Sequence, residues 1–245
     1  MGTVFSFDLR DTVTPAVGRA LREAVTWLHH VDALFSTYRP DSAICRLDRG
    51  ETTVERCPAE VGEVLRLCAE AEALTRGWFS ARAGGRLDPS GLVKGWAVER
   101  AAAVLHEAGA RNLCVNGGGD LRLHGEAAPG TPWRIGIADP TRPGRLLTVV
   151  TADVPAASAV ATSGTAERGH HILDPHAHRP ARGLLSTTVI GPSLIWADVH
   201  ATAIFARGAV MDAEGYEVLT LAEDGRIGGS GGFARAVTDA GSAEG

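Results

Sequence analysis

Asn112-Leu113-Cys114-Val115-Asn116-Gly117-Gly118-Gly119-Asp120-Leu121-Arg122-Leu123-His124 is where the chain changes its periodicity. On either side of three consecutive glycines, Asn112 to Val115 and Leu121 to His124 read as short strands. Glycines in a row imply close backbone approach or positive φ. Neither their spacing nor a following helix fits the dinucleotide-binding fingerprint, so the segment reads first as a turn.

Upstream of it the pattern is mostly helical. Val4 to Leu9 alternates as a strand, and then Val17, Leu21, Val25, Leu28 and Val31 repeat at helical spacing within Pro15 to Leu34. Phe35 to Leu47 reads as a polar loop. A second helix runs from about Pro58 to Thr75, with Gly77 as its stop, and a third from the Asp88-Gly91 loop to about Ala108, ended by Gly109. Downstream, Trp133 to Ile137, Leu146 to Val150, Ala156 to Ala161 and Ser186 to Ile190 are strand candidates. Trp196 to Arg207 returns to helix, and Asp224-Gly225 marks a hairpin between Glu217 to Leu221 and Arg226 to Ile227. Gly228 to Gly232 and the residues beyond Thr238 read as a frayed tail. Helices lead and strands follow, which predicts one α+β domain with mixed or antiparallel sheets. We assign residues 1–240 to that domain and 241–245 to a disordered tail.

The composition narrows the function classes. A 245-residue chain, 44% apolar and 22% charged, is ordinary for a globular protein. A net charge of −5 gives no basic surface for nucleic acid. No run approaches a membrane span, and the first residues lack the basic start and apolar core of a signal peptide, so a cytoplasmic location is expected. Cys45, Cys57, Cys68 and Cys114 have no paired spacing and read as reduced thiols.

Several groups of residues could carry chemistry. The run Thr162-Ser163-Gly164, followed by Arg168, His170, His171, Asp174 and Pro175, sets polar groups just after an apolar stretch. A plain turn is the competing reading. Asp198 and Thr202 are four apart and share a helix face, offering two hard oxygens suited to Mg²⁺. They could equally be a cap and a back-bonded hydroxyl. Asp88-Pro89-Ser90-Gly91 enters a helix, and Lys94 follows; both the helix start and the ammonium would attract phosphate. The spacing is not that of a Walker A loop, and a capped helix with a solvated Lys remains open. Four histidines (His170, His171, His176, His178) suggest a transition metal, but without nearby Cys or fixed geometry they do not argue for zinc.

Together, and in this order, these segments resemble the ApbE family of FAD:protein FMN transferases. The resemblance rests on Met1-Gly2-Thr3, Phe35 to Ser42, Asp88 to Val98, Asn116 to Asp120, Thr162 to Gly164 with His171 to Pro175, and Ala197-Asp198 with Thr202. Departures are Pro89-Ser90 in place of Leu-Gly, Phe79-Ser80 in place of Phe-Asp, and His178 where the family has Gly after Asp-Pro. The resemblance implies that FAD is split at its pyrophosphate. FMN then passes to a Thr or Ser hydroxyl of a target protein, with release of AMP. It further implies Mg²⁺ on Asp198, Thr202 and the Gly91 carbonyl, with Lys94 adding positive potential. Met1 and Tyr38 would line the flavin ring. Asp88 would hydrogen-bond the flavin or adenine portion, and Thr162, Ser163, Gly164 and Ile172 would form the phosphate-side wall. His171 would be the general base, with His170 as its alternative. An FAD-binding protein, or a pyrophosphatase that hydrolyses FAD to FMN and AMP, would share the fold. The acceptor is expected to be a protein carrying an Asp-x-x-(Ser/Thr)-Gly-Ala-(Thr/Ser) motif.

Overall fold

The computed structural model describes residues 2–152, 157–165, 169 and 172–230. Strand β1 (Phe5–Leu9) leads into helix α1 (Pro15–Phe35). Thr14 caps α1 by accepting the Val17 amide, and Pro15 takes the first helical position, where its missing N–H costs nothing. The segment expected as a loop contains a short helix, α2 (Ala43–Asp48). Ser42 accepts the Cys45 amide and starts it, while Ile44 and Cys45 face the core. Two buried side chains and a serine cap suffice for one and a half turns, too few for a period to be read. A 3₁₀ turn at Val54–Arg56 precedes α3 (Ala59–Leu74), and α4 (Ser90–Glu107) follows the Gly84-Gly85 loop.

The chain then runs mostly as strands, interrupted by one more helix. They are β2 (Leu113–Gly117), β3 (Asp120–His124), β4 (Trp133–Ala138), β5 (Leu146–Ala152), β6 (Ala157–Gly164), β7 (Leu173–Asp174), β8 (Arg179–Pro180) and β9 (Leu184–Gly191). Helix α5 (Leu194–Arg207) leads to β10 (Glu217–Ala222) and β11 (Ile227–Gly229). Seven of these strands form one sheet in the order β1-β2-β3-β6-β9-β10-β11, each neighbour antiparallel. The α+β expectation is met. Gly228 and Gly229 belong to β11 and pair with Thr220 and Leu219, so the frayed tail does not begin at Gly228. The tail expected at 241–245 lies outside the described residues.

The glycine run is a two-residue hairpin turn. Gly117 pairs with Asp120, and Gly118 and Gly119 between them have φ of +61° and +91°, as a type I′ turn demands. The Asn116 carboxamide accepts the Gly119 amide and closes the turn.

The two faces of the sheet are covered differently. Helices α4 and α5 lie on one face, with α1 packed on α4, over the main core. The β4–β5 hairpin lies on the other, where Ile137, Val160 and Leu219 form a small separate core. The period of two is visible in β6: Ala159 and Ala161 face the helices, while Val160 faces the hairpin.

Helices α4 and α5 approach closely at Gly95. A Cβ there would lie 2.6 Å from the Leu194 carbonyl oxygen. Glu99, one turn further along α4, caps α5 from outside. Its Oε2 accepts the Ser193 hydroxyl at 3.0 Å and the amides of Leu194 and Ile195 at 2.6 and 3.1 Å. These amides have no partner within their own helix, and a carboxylate beside them also meets the positive end of the helix dipole.

Candidate active site

A cleft of about 870 Å³ opens between the start of α4, the end of β6, the β2–β3 turn, the β4 strand and the loops around Tyr38 and Phe79. The cleft gathers residues scattered through the sequence. Tyr38, Asp88, Gly91, Lys94, Thr162, Ser163, Gly164, Ile172, Asp198 and Thr202 all line it. Met1, His170 and His171 lie outside the described residues.

The floor is polar and closely bonded. Lys94 Nζ stands 2.6 Å from Asp120 Oδ2 and 3.8 Å from Asp198 Oδ1. Asp120 is fully buried, and its other oxygen accepts the Thr162 amide at 3.0 Å. Asp198 Oδ2 accepts the Gly95 amide at 3.1 Å, whose regular helical acceptor is the Gly91 carbonyl. The carboxylate thus shares the amide that the helix would assign to Gly91. Thr202 Oγ1 lies 3.3 Å from Ser163 Oγ, and a Cβ on Gly91 would come within 3.4 Å of the same hydroxyl. Thr162 pairs its hydroxyl with that of Thr188 across the β6–β9 ladder.

Two sequence alternatives close here. Thr162-Ser163-Gly164 is the last part of β6, paired with Thr188, Thr187 and Ser186, rather than a turn. Lys94 is not a solvated lysine; its ammonium is committed to buried carboxylates. The capped helix start does not hold in full, since Pro89 at the N-cap of α4 makes no side-chain bond, and Asp88 contributes a turn just ahead of it. Asp88 Oδ1 accepts the Ser90 amide at 3.0 Å, at the mouth of the cleft.

Among the described residues, the groups here that could ligate a cation are oxygens: the Asp198 carboxylate and the Thr202 and Ser163 hydroxyls, with the backbone of Gly91 packed close to Thr202. Such a set suits a hard divalent cation and is unsuited to zinc. Among the described residues no three or more of His, Cys, Asp and Glu gather as a metal cluster. None of the described histidines lines the cleft. His200, two residues from Asp198, is buried against Tyr216, and burial holds its imidazole below the ordinary range.

The mouth is aromatic. Tyr38 is 86% exposed, so its ring is available to a ligand. Trp78 also lines the cleft and meets His176 edge-on, with ring centroids 4.4 Å apart. The β7–β8 loop holds its shape without the usual glycine. Asp174 Oδ1 accepts the amides of His176 and Ala177, and His178 adopts φ +51°, the left-handed conformation a glycine would take.

Sequence reading missed two contributors. Asp120 is visible in the sequence only as the end of a glycine turn, because β3 alternates polar and apolar residues and its first Asp does not stand out. The wall from Ile135 to Ala138 carries no chemical signature at all. Among the described residues no helix is long and apolar enough to cross a membrane, and the four cysteines are free thiols.

A model of the ApbE family matches residues 1–85 and 80–223. Curated relatives include the FAD:protein FMN transferase of Vibrio cholerae, 34% identical over 149 residues, covering 55% of this chain and 44% of that protein. The FAD:protein FMN transferase of Rhodobacter capsulatus is 29% identical over 202 residues, covering 79% of this chain and 35% of that protein. The chain therefore spans less than half the length of these relatives. In fold it is similar to the ApbE protein of Thermotoga maritima, with a TM-score of 0.81 at 24% identity and 96% of each chain covered. It is also similar to the flavin transferase ApbE of Vibrio cholerae, with a TM-score of 0.78 at 24% identity and the same coverage.

Proposed function

The chain belongs to the ApbE family, and on that premise we propose that it transfers FMN from FAD to a Thr or Ser hydroxyl of a target protein, releasing AMP. One observation carries the reading. All the expected contacts that fall on described residues converge on a single cleft, although they come from segments between Tyr38 and Thr202. The relatives' names supply the reaction.

The barrier in such a transfer lies in the charge of the pyrophosphate and in placing the nucleophile. Asp198, Thr202 and the Gly91 carbonyl would hold Mg²⁺, which supplies charge neutralisation at the split phosphate. Lys94 places a cation on the same floor, and the first amides of α4 point positive dipole at it. Tyr38 and Trp78 offer aromatic faces at the mouth for the ring systems, with Met1 as a further flavin contact. Asp88 orients the dinucleotide at the start of α4. Thr162, Ser163, Gly164 and Ile172 form the wall along which the phosphates lie. His171 takes the proton from the acceptor hydroxyl, with His170 as the alternative; an imidazole titrates near neutral pH and suits that task.

The test is direct. The protein is incubated with FAD, Mg²⁺ and a peptide carrying Asp-x-x-(Ser/Thr)-Gly-Ala-(Thr/Ser), and the peptide is read for covalent flavin fluorescence. A fluorescent peptide with equimolar AMP is the expected result. Free FMN and AMP with an unlabelled peptide would mean hydrolysis, and unchanged FAD would mean binding alone; either sinks the transfer reading. His171→Ala should bind FAD normally and lose transfer.

A further inference from the structure

We propose that Lys94 is an internal competitor for the metal position and that Asp120 is the positioning residue that holds it off Asp198. The inference rests on the metal reading above. Its basis is the unequal placement of one ammonium between two buried carboxylates. Lys94 Nζ is in direct contact with Asp120 at 2.6 Å and stands 3.8 Å from Asp198. Both acids are almost without exposure, so water does little to screen either pair.

The geometry sets a choice. An ammonium seated on Asp198 would neutralise the one carboxylate among the proposed cation ligands. Asp120 draws it about one ångström further away than a direct salt bridge to Asp198 would allow. Asp120 is itself fixed, because its second oxygen is bound to the Thr162 amide at 3.0 Å. Turning the carboxylate would give up the Thr162 amide. Removing the charge at position 120 takes away the nearer of these two carboxylates, and closing the remaining 3.8 Å brings the ammonium onto Asp198.

This differs from a plain electrostatic effect of Asp120 on a cation. In the plain case, Asp120→Asn weakens the cation equally whether or not a lysine is present. In the competitor case, the weakening requires Lys94. A double-mutant cycle separates the two.

The measurement is Mn²⁺ affinity by electron paramagnetic resonance, without FAD, on wild type, D120N, K94Q and D120N/K94Q. We expect D120N to weaken binding about tenfold, the effect of one ammonium occupying the ligand carboxylate. K94Q should bind at least as tightly as wild type, and D120N/K94Q should match K94Q within about twofold. An equal loss from D120N in both backgrounds overturns the proposal, as does no loss in either. D198N distinguishes the levels. If D198N abolishes binding while D120N does nothing, only this inference falls. If D198N binds Mn²⁺ like wild type, the metal reading falls and takes this one with it. Should K94Q alone fail to fold, a crystal structure of D120N decides: Lys94 Nζ bonded to Asp198 supports the proposal, and an unmoved Lys94 overturns it.

Discussion

Gly95→Ala is the most demanding check on how α4 holds α5. The added methyl carbon would lie 2.6 Å from the Leu194 carbonyl oxygen and 3.1 Å from Asp198 Cβ. Both obstacles belong to a helix backbone or its first side-chain atom, so no rotamer can relieve them. Reaching ordinary contact at about 3.4 Å requires the helices to part by roughly 0.8 Å at that point. Overpacking of this kind costs about 1–3 kcal/mol, and rigid neighbours put Gly95 at the upper end. Alanine regains about 1 kcal/mol of helix propensity over glycine. The net is a loss of about 2 kcal/mol, and for a chain of this size Tm falls by roughly 4–8 °C. The parting would also stretch the bond from the Gly95 amide to Asp198, so Mn²⁺ affinity should fall with stability. Gly18→Ala in α1 is the control, because nothing lies within 4 Å of its Cβ position. It should raise Tm by roughly 2–4 °C, through propensity alone. Differential scanning calorimetry of both variants gives the answer. If Gly95→Ala melts at or above wild type, the close approach of α4 and α5 does not constrain the floor of the cleft as argued.

Glu99→Gln keeps the shape of the α5 cap and removes its charge; urea denaturation should show a loss of about 1 kcal/mol, and Glu99→Ala about 2 kcal/mol. Tyr38→Ala should leave Tm unchanged, since the ring is exposed, while weakening FAD binding on the order of fivefold by fluorescence titration. His124 stacks on His106 with centroids 4.5 Å apart, and burial, with Arg122 and His106 alongside, lowers its pKa to about 4. The unfolded chain therefore takes up this proton near pH 6.5 and the folded one only near 4, so this contribution to stability is present above 6.5 and declines as pH falls toward 4. His124→Phe keeps the stacking, and denaturation midpoints measured from pH 7 to 4.5 should fall less steeply than those of wild type.

Local features were legible because their causes are local. Pro15 and Pro58 marked helix starts, Gly77 and Gly109 marked stops, and three glycines before an Asp marked a hairpin. The groups of the cleft were also legible one by one, since a Thr-Ser-Gly run or an Asp and Thr four apart carries its chemistry in its spacing. Their assembly was not. Gly95 and Asp198 are 103 residues apart, and Glu99 and Ser193 are 94 apart, so neither the helix crossing nor the borrowed cap leaves a periodic trace. Asp120 fell between the two cases: its place in the turn was visible, but its bond to Lys94 depends on β3 lying beneath α4. The strand reading of β6 stopped at Ala161 because the apolar run stops there. The ladder continues to Gly164 because Thr162 and Ser163 find hydroxyl and backbone partners on β9 and α5.

The β4–β5 hairpin gives the cleft walls of unequal strength. One wall is built into the seven-stranded sheet and its large helix-covered core. The other is a two-stranded ribbon held by the small core of Ile137, Val160 and Leu219 with Leu121, Ile135, Leu147, Val150 and Ile190 packed against it, and by an indole bond from Trp133 to the His124 carbonyl. Such a ribbon opens in local fluctuations long before the molecule unfolds. Its amides are therefore the ones whose hydrogen exchange should slow most when a ligand fills the cleft. If FAD is the ligand as proposed, this ribbon is the flank expected to give way for it, while the floor around Asp120 and Asp198, tied to the sheet and to α4, keeps its geometry.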